Sequence, residues 1–482
     1  MRQRLAFRNE RRLYRRQCDL SGKPVISVYR PGSDFVVYDQ NVWWSDEYDP
    51  LEYGQEFDFS QPFFSQVDKL HRRVPKLSIH NAKSENCEFT NYSAENRNCY
   101  LAVGALGTED CYYSYRIFYS KNIVDSFGLS RCELCYECSQ GADLYGCAFA
   151  TNCASSSNLF LCSDCVGCRD CFGCVNLRGR QYCIFNEQYT QEAYSELSAK
   201  LRLDPDAANR RYLTLLSSVP ERSAYTINCE SCSGDQLKNC RRCEDVYFLA
   251  DSEDVIHAHN GDANRDCADL NFGDNCELQY QASNLEKNYR VAFAALAWYV
   301  SESFYVLSCF NSKRAFGCCG LKRQENCILN RQYSPAEYDA MLVKIAKHMI
   351  ETREWGRFFP ASLSPFLFEE TIAAEQFPLS QEECAKRGYN VGLLPARSDA
   401  ASNGDPSCSV CGRAFRIIPK ERDFYRSLQL PEPSDCPDCR HSARLARRRP
   451  MRLRGATCNR CGKVVPSSAN FDTVLCEACY VR

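Results

Sequence analysis

The residues best suited to chemistry are eight cysteines towards the C-terminus. Cys408-x2-Cys411 is followed, after 24 intervening residues, by Cys436-x2-Cys439, and Cys458-x2-Cys461, after 14 intervening residues, by Cys476-x2-Cys479. Each CxxC sets two soft thiolates on one tight turn, and two such turns complete the tetrahedron that structural Zn²⁺ prefers. Gly412 and Gly462 come directly after the second cysteine of each leading pair. There the chain must curl so that backbone N–H groups face the sulfurs. Four ligands of one kind leave no open coordination position, so the expectation is two structural Zn²⁺ and no catalytic metal. In segments this short, roughly 10–16 kcal/mol of apparent metal binding stands in for a hydrophobic core.

The first of these modules also carries Phe415, Glu421, Phe424, Tyr425, Pro433 and Arg440 around its cysteines. With CxxCG ahead and CxxCR behind, residues 408–440 resemble the probable zinc-ribbon (treble-clef) family. That resemblance implies a small zinc fold and no assigned chemistry. Between the two modules, Arg440, Arg444, Arg447, Arg448, Arg449, Arg452 and Arg454 place seven arginines in fifteen residues. One reading is a helix facing nucleic acid between two zinc clips. The other is a solvated helix, or arginines paired with an acidic body.

The N-terminus repeats the C-terminus without its metal. Residues 4–27 aligned on 444–467 share 11 of 24 residues, among them Arg4, Leu5, Ala6, Arg8, Cys18, Gly22 and Lys23. With a two-residue insertion after that stretch, Cys18 keeps its place, and Ser21, Tyr38 and Asn41 fall where the other three cysteines would be. A single thiol does not hold Zn²⁺, so residues 1–50 read as a metal-free knuckle of the same shape, with Tyr38, Trp43 and Trp44 as its filling.

These modules must be positioned by the long middle of the chain. A twelve-residue ladder runs Cys87, Cys99, Cys111, Ile123, Cys135, Cys147, Leu159, Cys171, Cys183, often preceded by Asn or Asp (Asn86, Asn98, Asp110, Asn122, Asn158, Asp170). A short fixed period with small inward rungs and turn-forming Asn or Asp predicts a β-solenoid. Phe172–Tyr194 recurs as Phe316–Tyr338 at an offset of 144, with 10 of 23 positions identical. The solenoid therefore has two halves. In the second, Val255 and Cys267 keep the period while Cys276, Tyr289 and Phe304 drift. Each half leads into a helix: Thr190 starts one with Tyr194, Leu197 and Leu201 on its apolar face, and Ser334-Pro-Ala-Glu337 is a capping box with Pro at the first position. Such helices can close the open end of a solenoid.

The middle cysteines admit three readings. They are core thiols, extra zinc ligands (best at Cys229, Cys232, Cys240 and Cys243), or an iron–sulfur or redox site in the every-third-residue run from Cys162 to Cys174, echoed at Cys132, Cys135 and Cys138. His257 and His259, two apart on one strand face beside Glu253 and Asp254, read as a polar surface. Acidic dipeptides at Glu109-Asp110, Glu244-Asp245 and Glu253-Asp254 repeat with the coil, as turn chemistry does, and do not converge as paired catalytic carboxylates would. No Ser/His/Asp order, phosphate loop or HExxH motif is present.

Cysteine is 34 of 482 residues, beside 44% hydrophobic and 25% charged residues, which suits a folded chain and excludes pervasive disorder. The charged start and the short apolar run Val291–Val300 predict neither a signal peptide nor a membrane span, so a cytoplasmic protein whose thiols stay reduced is expected. Residues 1–30 carry a surplus of seven positive charges and 408–482 a surplus of eight, against about −17 for 31–407.

The expected architecture is mainly β. It comprises a degenerate knuckle (1–50), a first solenoid half (80–189), a helical connector (190–220), a second half (225–333), a helical cap and extended segment (334–397), a linker (398–407), zinc module 1 (408–441), and a basic helix with zinc module 2 (442–482). The chain as a whole resembles uncharacterised bacterial cysteine-repeat proteins with terminal treble-clef modules, a family without assigned activity. The function predicted is a zinc-binding scaffold that contacts nucleic acid or a ribonucleoprotein through its basic C-terminal modules. The alternatives are a protein–protein adaptor whose basic ends dock on the acidic body, and a metal or redox enzyme using the middle cysteines.

Overall fold

From Lys83 to Phe185, and again from Asn239 to Leu329, every third residue has a positive φ near +50 to +67°. The computed structural model describes residues 1–394 and 405–480, so most of the expected linker (398–404) lies outside the described residues. No Val, Ile or Thr occupies any of these left-handed positions, where a branched Cβ would press against the following carbonyl. Asn, Asp and Gly tolerate the conformation best. Asn86, Asn98, Asp110, Asn122, Asn158 and Asp170 all adopt it, as do Asp245 and Asp254. Two extended residues and one left-handed residue make a side, and four sides bring the chain back over its start after twelve residues.

Parallel pairing follows that step. In the first stack Cys111 pairs with Ile123, and Ile123 with Cys135; further on, Leu159 pairs with Cys171, and Cys171 with Cys183. The second stack does not drift. Val255 pairs with Cys267, Cys267 with Gln279, Gln279 with Val291, Val291 with Ser303, and Ala315 with Cys327. Its rungs are other residue types, and Cys276, Tyr289 and Phe304 occupy neighbouring positions in the coil. The step shortens to eleven at the start, where Ile227 pairs with Lys238.

Backbone bonding explains why so many rungs are cysteine. Left-handed residues donate thirteen residues back (Asp110 N–H to Arg97 O, 3.0 Å), and the residue two further on donates eleven ahead (Tyr100 N–H to Cys111 O, 3.1 Å). The inward residue between them has no backbone acceptor. Where the inward side chain one coil earlier carries an acceptor, it can meet that N–H: Cys132 is met by Ser120 Oγ (3.0 Å), Cys165 by Cys153 Sγ (3.4 Å), Cys168 by Ser156 Oγ (3.0 Å) and Thr108 by Asn96 Oδ1 (3.0 Å). The thiols in turn donate to nearby carbonyls, as Cys138 does to Tyr136 O and Cys147 O, both at 3.4 Å. Cysteine is small, buries well and both donates and accepts weakly, so it suits inward positions that it shares with Ser, Asn and small aliphatics.

The two stacks lie side by side and run in opposite directions. His80 meets Trp298, Arg116 lies over Phe272, Phe127 meets Phe248, Asn152 accepts from Gln236, and Asp164 from Tyr225. Positions rise along one stack as they fall along the other. Helix Pro335–Glu351 carries the capping box expected at Ser334 and Glu337, and buries Tyr338, Ile345 and Met349. Helix Gln191–Arg202, capped by Thr190, is followed by Pro205–Ser218. These two do not merely close an end: Arg202 lies over Phe160 and Arg211 over Phe185, two coils apart along the flank. The matching flank of the second stack is covered by helix Phe63–Arg73, with Phe63 against Tyr305 and Phe316. Among the described residues, no helix is long and apolar enough to cross a membrane.

Candidate metal centres and the arginine segment

The ligand atoms of Cys408, Cys411, Cys436 and Cys439 all lie within 4.8 Å of one another, as do those of Cys458, Cys461, Cys476 and Cys479. The Cys411–Cys436 and Cys461–Cys476 sulfur separations are both 3.8 Å, matching the edge of about 3.8 Å of a tetrahedron with Zn–S bonds of about 2.3 Å. Gly412 and Gly462 are left-handed (φ +71° and +72°). Each donates its N–H to the carbonyl of the first cysteine at 2.9 Å. Cys408 Sγ accepts the Cys436 amide at 3.2 Å, Cys458 Sγ the Cys476 amide at 3.3 Å, and Cys411 Sγ Arg413 Nε at 3.4 Å. Such donors offset the charge that four thiolates concentrate. Arg413 brings the Cys411 thiol down to about 6, and the Cys476 amide does the same for Cys458. The donor set therefore fits two metal ions in closed sites.

The N-terminal knuckle has the same backbone. Cys18 N–H donates to Lys23 O, and Gly22 N–H to Cys18 O, as Cys458 and Gly462 do. Asp19 N–H donates to Val37 O where Asn459 donates to Val474 O, all at 2.9 Å. These bonds correct the alignment: the insertion is three residues, so Asp39 and Val42 replace Cys476 and Cys479, in place of the expected Tyr38 and Asn41. Cys18 Sγ accepts the amides of Ser21 (3.4 Å) and Asp39 (3.2 Å). The aromatics do not fill the vacated centre. Trp43, fully buried, packs on Phe310 and Trp44 and donates Nε1–H to Pro75 O.

Each knuckle also adds a strand to the entry of one stack. Val37–Tyr38 pairs in parallel with Lys76–Leu77, and Val474–Leu475 with Glu221–Arg222. Each reaches across to the far end of the other stack: Tyr48 Oη–H donates to Gly320 O, and Tyr480 Oη–H to Asn176 Oδ1.

The arginine segment faces inward. Arg440 and Arg444, 5% and 4% exposed, grip Asp125 at 2.6 and 3.0 Å, and Arg444 also holds Glu137 at 2.5 Å. Arg440 further meets Glu421 and the Tyr425 hydroxyl. Arg448 lies over Phe127, and Arg449 pairs with Glu221. Arg447 is exposed and pairs with Glu137, Arg454 is exposed and pairs with Asp472, and Arg452 is exposed. The other end does the same: Arg4 pairs with Asp269 at 2.9 Å, and Arg8 lies over Phe272. Arg4 and Arg444 are aligned residues, and Asp125 and Asp269 differ by the 144-residue repeat offset. The sequence reading did not single out these aspartates, although the two offsets together identify them.

Cys162, Cys165, Cys168, Cys171 and Cys174 are buried on successive sides, as are Cys132, Cys135 and Cys138. Among the described residues only the two C-terminal groups bring three or more ligand atoms so close, so Cys229, Cys232, Cys240 and Cys243 do not form a third. They occupy adjacent coils at the entry of the second stack, Glu230 bridging to Arg241 between them. His257 and His259 do not share a face, because His257 is a left-handed turn residue beside Asp245. His259 is buried between Phe248 and Phe272, which holds its imidazole well below its usual pKa. Neither a protein-family model nor a curated protein matches the chain.

Proposed function

We propose that the protein is a zinc-stabilised scaffold of two antiparallel β-solenoid halves, each entered through a treble-clef knuckle, acting as a protein–protein adaptor in the cytoplasm. The observation that carries this reading is the matched pair of latches, Arg4 on Asp269 and Arg444 on Asp125. Arginines spent on the chain's own aspartates are not offered to phosphates. The remaining body, with its acidic excess over 31–407, suits a basic partner surface. Thiols used as hydrogen-bonding rungs account for the middle cysteines without a metal or redox role.

Metal analysis and nucleic-acid titration test this. Two zinc ions per chain are expected, with no iron. Binding to RNA or DNA through residues 440–454 should contribute a log–log salt slope no steeper than about −3, since Arg447, Arg452 and Arg454 are the exposed arginines of that segment; engagement of all seven would give about −6. A slope near −6 that Arg440→Ala and Arg444→Ala reduce would overturn the adaptor reading in favour of nucleic-acid binding.

A further inference from the structure

The two stacks present corresponding outer faces, and their early coils are treated differently. On the first stack Tyr112, Val124 and Tyr136 follow one another at the twelve-residue step, and all three are buried. Adding the offset of 144 gives Ile256, Ala268 and Tyr280, which pair in the same way on the second stack. Further along, both faces are covered, with Phe172 and Ile184 buried on the first and Phe316 and Ile328 on the second. The early coils of the second stack are open. Ile256 is 39% exposed, Tyr280 44% and the neighbouring Leu278 43%. With Ala268 they floor a shallow hollow of about 410 Å³ rimmed by Asp254 and Asp266. Adjoining apolar groups with a polar rim mark a site of interaction.

What covers the first face indicates what the second would take. Helix Pro419–Ser427 of the first four-cysteine module lies on it, its Tyr425 ring 5.4 Å and its Phe424 ring 6.3 Å from that of Tyr136. Lys420, one turn ahead of Phe424, reaches Asp110 at 3.1 Å. One helix therefore delivers a cation to the turn of a coil and aromatics to its outward rungs. Leu134 packs into the same cluster. Three of the receiving residues recur unchanged at the offset of 144: Asp110 as Asp254, Leu134 as Leu278 and Tyr136 as Tyr280. Asp254 is held by Arg242 at 2.6 Å, where the first stack has Asn98. The adjoining latches differ in the same sense. Asp125 is gripped by Arg440 and Arg444 and is fully buried, whereas Asp269 pairs with Arg4 and stays 28% exposed. The terminal repeat, 4–27 on 444–467, does not include the first module, so the second face repeats the receiving residues without repeating the helix.

We propose that this face docks a helix of a partner protein that carries Lys or Arg one turn ahead of paired aromatics, the cation on Asp254 and the aromatics on Ile256, Leu278 and Tyr280. The proposal rests on the adaptor reading and names what its acidic body takes. The chain's own helix of this kind is committed, since its Glu421 and Tyr425 hold the buried Arg440, so the occupant is another protein and not a second copy. The probe is a fluorescein-labelled, helix-stapled peptide with the sequence of residues 417–430, titrated by anisotropy with the zinc-loaded full chain. It should bind with a dissociation constant below about 100 μM. Tyr280→Ala and Ile256→Asp should each weaken it about tenfold, and Asp254→Asn about threefold with a shallower salt dependence. Tyr145→Ala, at an exposed tyrosine of the first stack, should leave it unchanged. Because Ile256 and Tyr280 lie at the surface, unchanged urea midpoints should accompany these losses. No binding at about 1 mM peptide, binding indifferent to both Tyr280→Ala and Ile256→Asp, or equal binding of a peptide with Phe424→Ala and Tyr425→Ala would each overturn the proposal. Peptide binding beside a nucleic-acid slope near about −6 would support the face while overturning the adaptor reading; no peptide binding beside a shallow slope would overturn the face alone.

Discussion

The two terminal knuckles share a turn, a strand pairing and a set of backbone hydrogen bonds, yet one is built around four cysteines and the other around one. In the C-terminal knuckle the four sulfurs lie within 4.8 Å of one another, Cys461 and Cys476 at 3.8 Å, a set that fits a metal. In the N-terminal knuckle the surviving Cys18 behaves like the rungs of the stacks, accepting two amides. What replaces the metal is not a plug in the same place but adhesion elsewhere. Trp43, Tyr48 and Phe63 fasten the N-terminal segment to the second stack. A fold of about 30 residues can be held from within by an ion or from outside by aromatic packing, and the backbone does not record which.

Metal removal separates the two most sharply. Chelation withdraws roughly 10–16 kcal/mol of apparent binding energy from each four-cysteine module. Residues 405–440 and 454–480 should then lose hydrogen-exchange protection while 1–50 keep theirs; equal loss at both ends would break the comparison. The converse is a graft. Ser21→Cys, Asp39→Cys and Val42→Cys beside Cys18 should raise metal content from two to three ions per chain, whereas Tyr38→Cys and Asn41→Cys in place of the last two should not. Plasma mass spectrometry of the two triple variants decides the register.

Next come the latches. Arg440→Ala and Arg444→Ala together strand the fully buried Asp125 and should cost at least about 3–5 kcal/mol in urea melts. Arg4→Ala, facing an Asp269 that is partly solvated, should cost about 1.5–3 kcal/mol. A smaller effect tests thiols as hydrogen-bonding groups. Cys153→Val leaves the Cys165 amide unpaired and should cost about 1–3 kcal/mol, while Cys153→Ser and Cys18→Ser should cost less.

Last is acidity. His80 stands at the N-terminal entry where Tyr225 stands at the other, and burial lowers its imidazole to about 3. Above pH 6.5 it is neutral both folded and unfolded. Below that the unfolded chain gains a proton the folded one refuses, so stability falls between pH 6.5 and about 3 by up to about 1.4 kcal/mol per unit. His80→Gln should flatten that slope by one proton, read at pH values where the metal count is unchanged.

The eight C-terminal ligands, the twelve-residue step and the Ser334 capping box were legible because each is a local pattern with one physical solution. The three-residue side was not: its signal is an absence, the exclusion of Val, Ile and Thr from every third position, which the stronger twelve-residue recurrence of cysteine masks. The insertion was misjudged by one residue because residues 28–36 form a loop with no identities to fix its length. The docking of the arginines could not be read from their count, since a run of like charge names no partner. Only the agreement of two offsets, 440 between the ends and 144 between the stacks, singles out Asp125 and Asp269.

Strand Lys76–Leu77 finds its partner Val37–Tyr38 already made. Strand Glu221–Arg222 needs Val474–Leu475, about 250 residues later. At roughly 5–20 residues per second of synthesis, that delay is on the order of tens of seconds. Through it the second stack begins on an unpaired strand, with the half-exposed thiols of Cys229 and Cys232 beside it, while the first already has its cover. A nascent chain halted anywhere in that interval carries one finished edge and one adhesive edge, so slow translation past residue 222 is where this protein is most exposed to mispairing with its own copies.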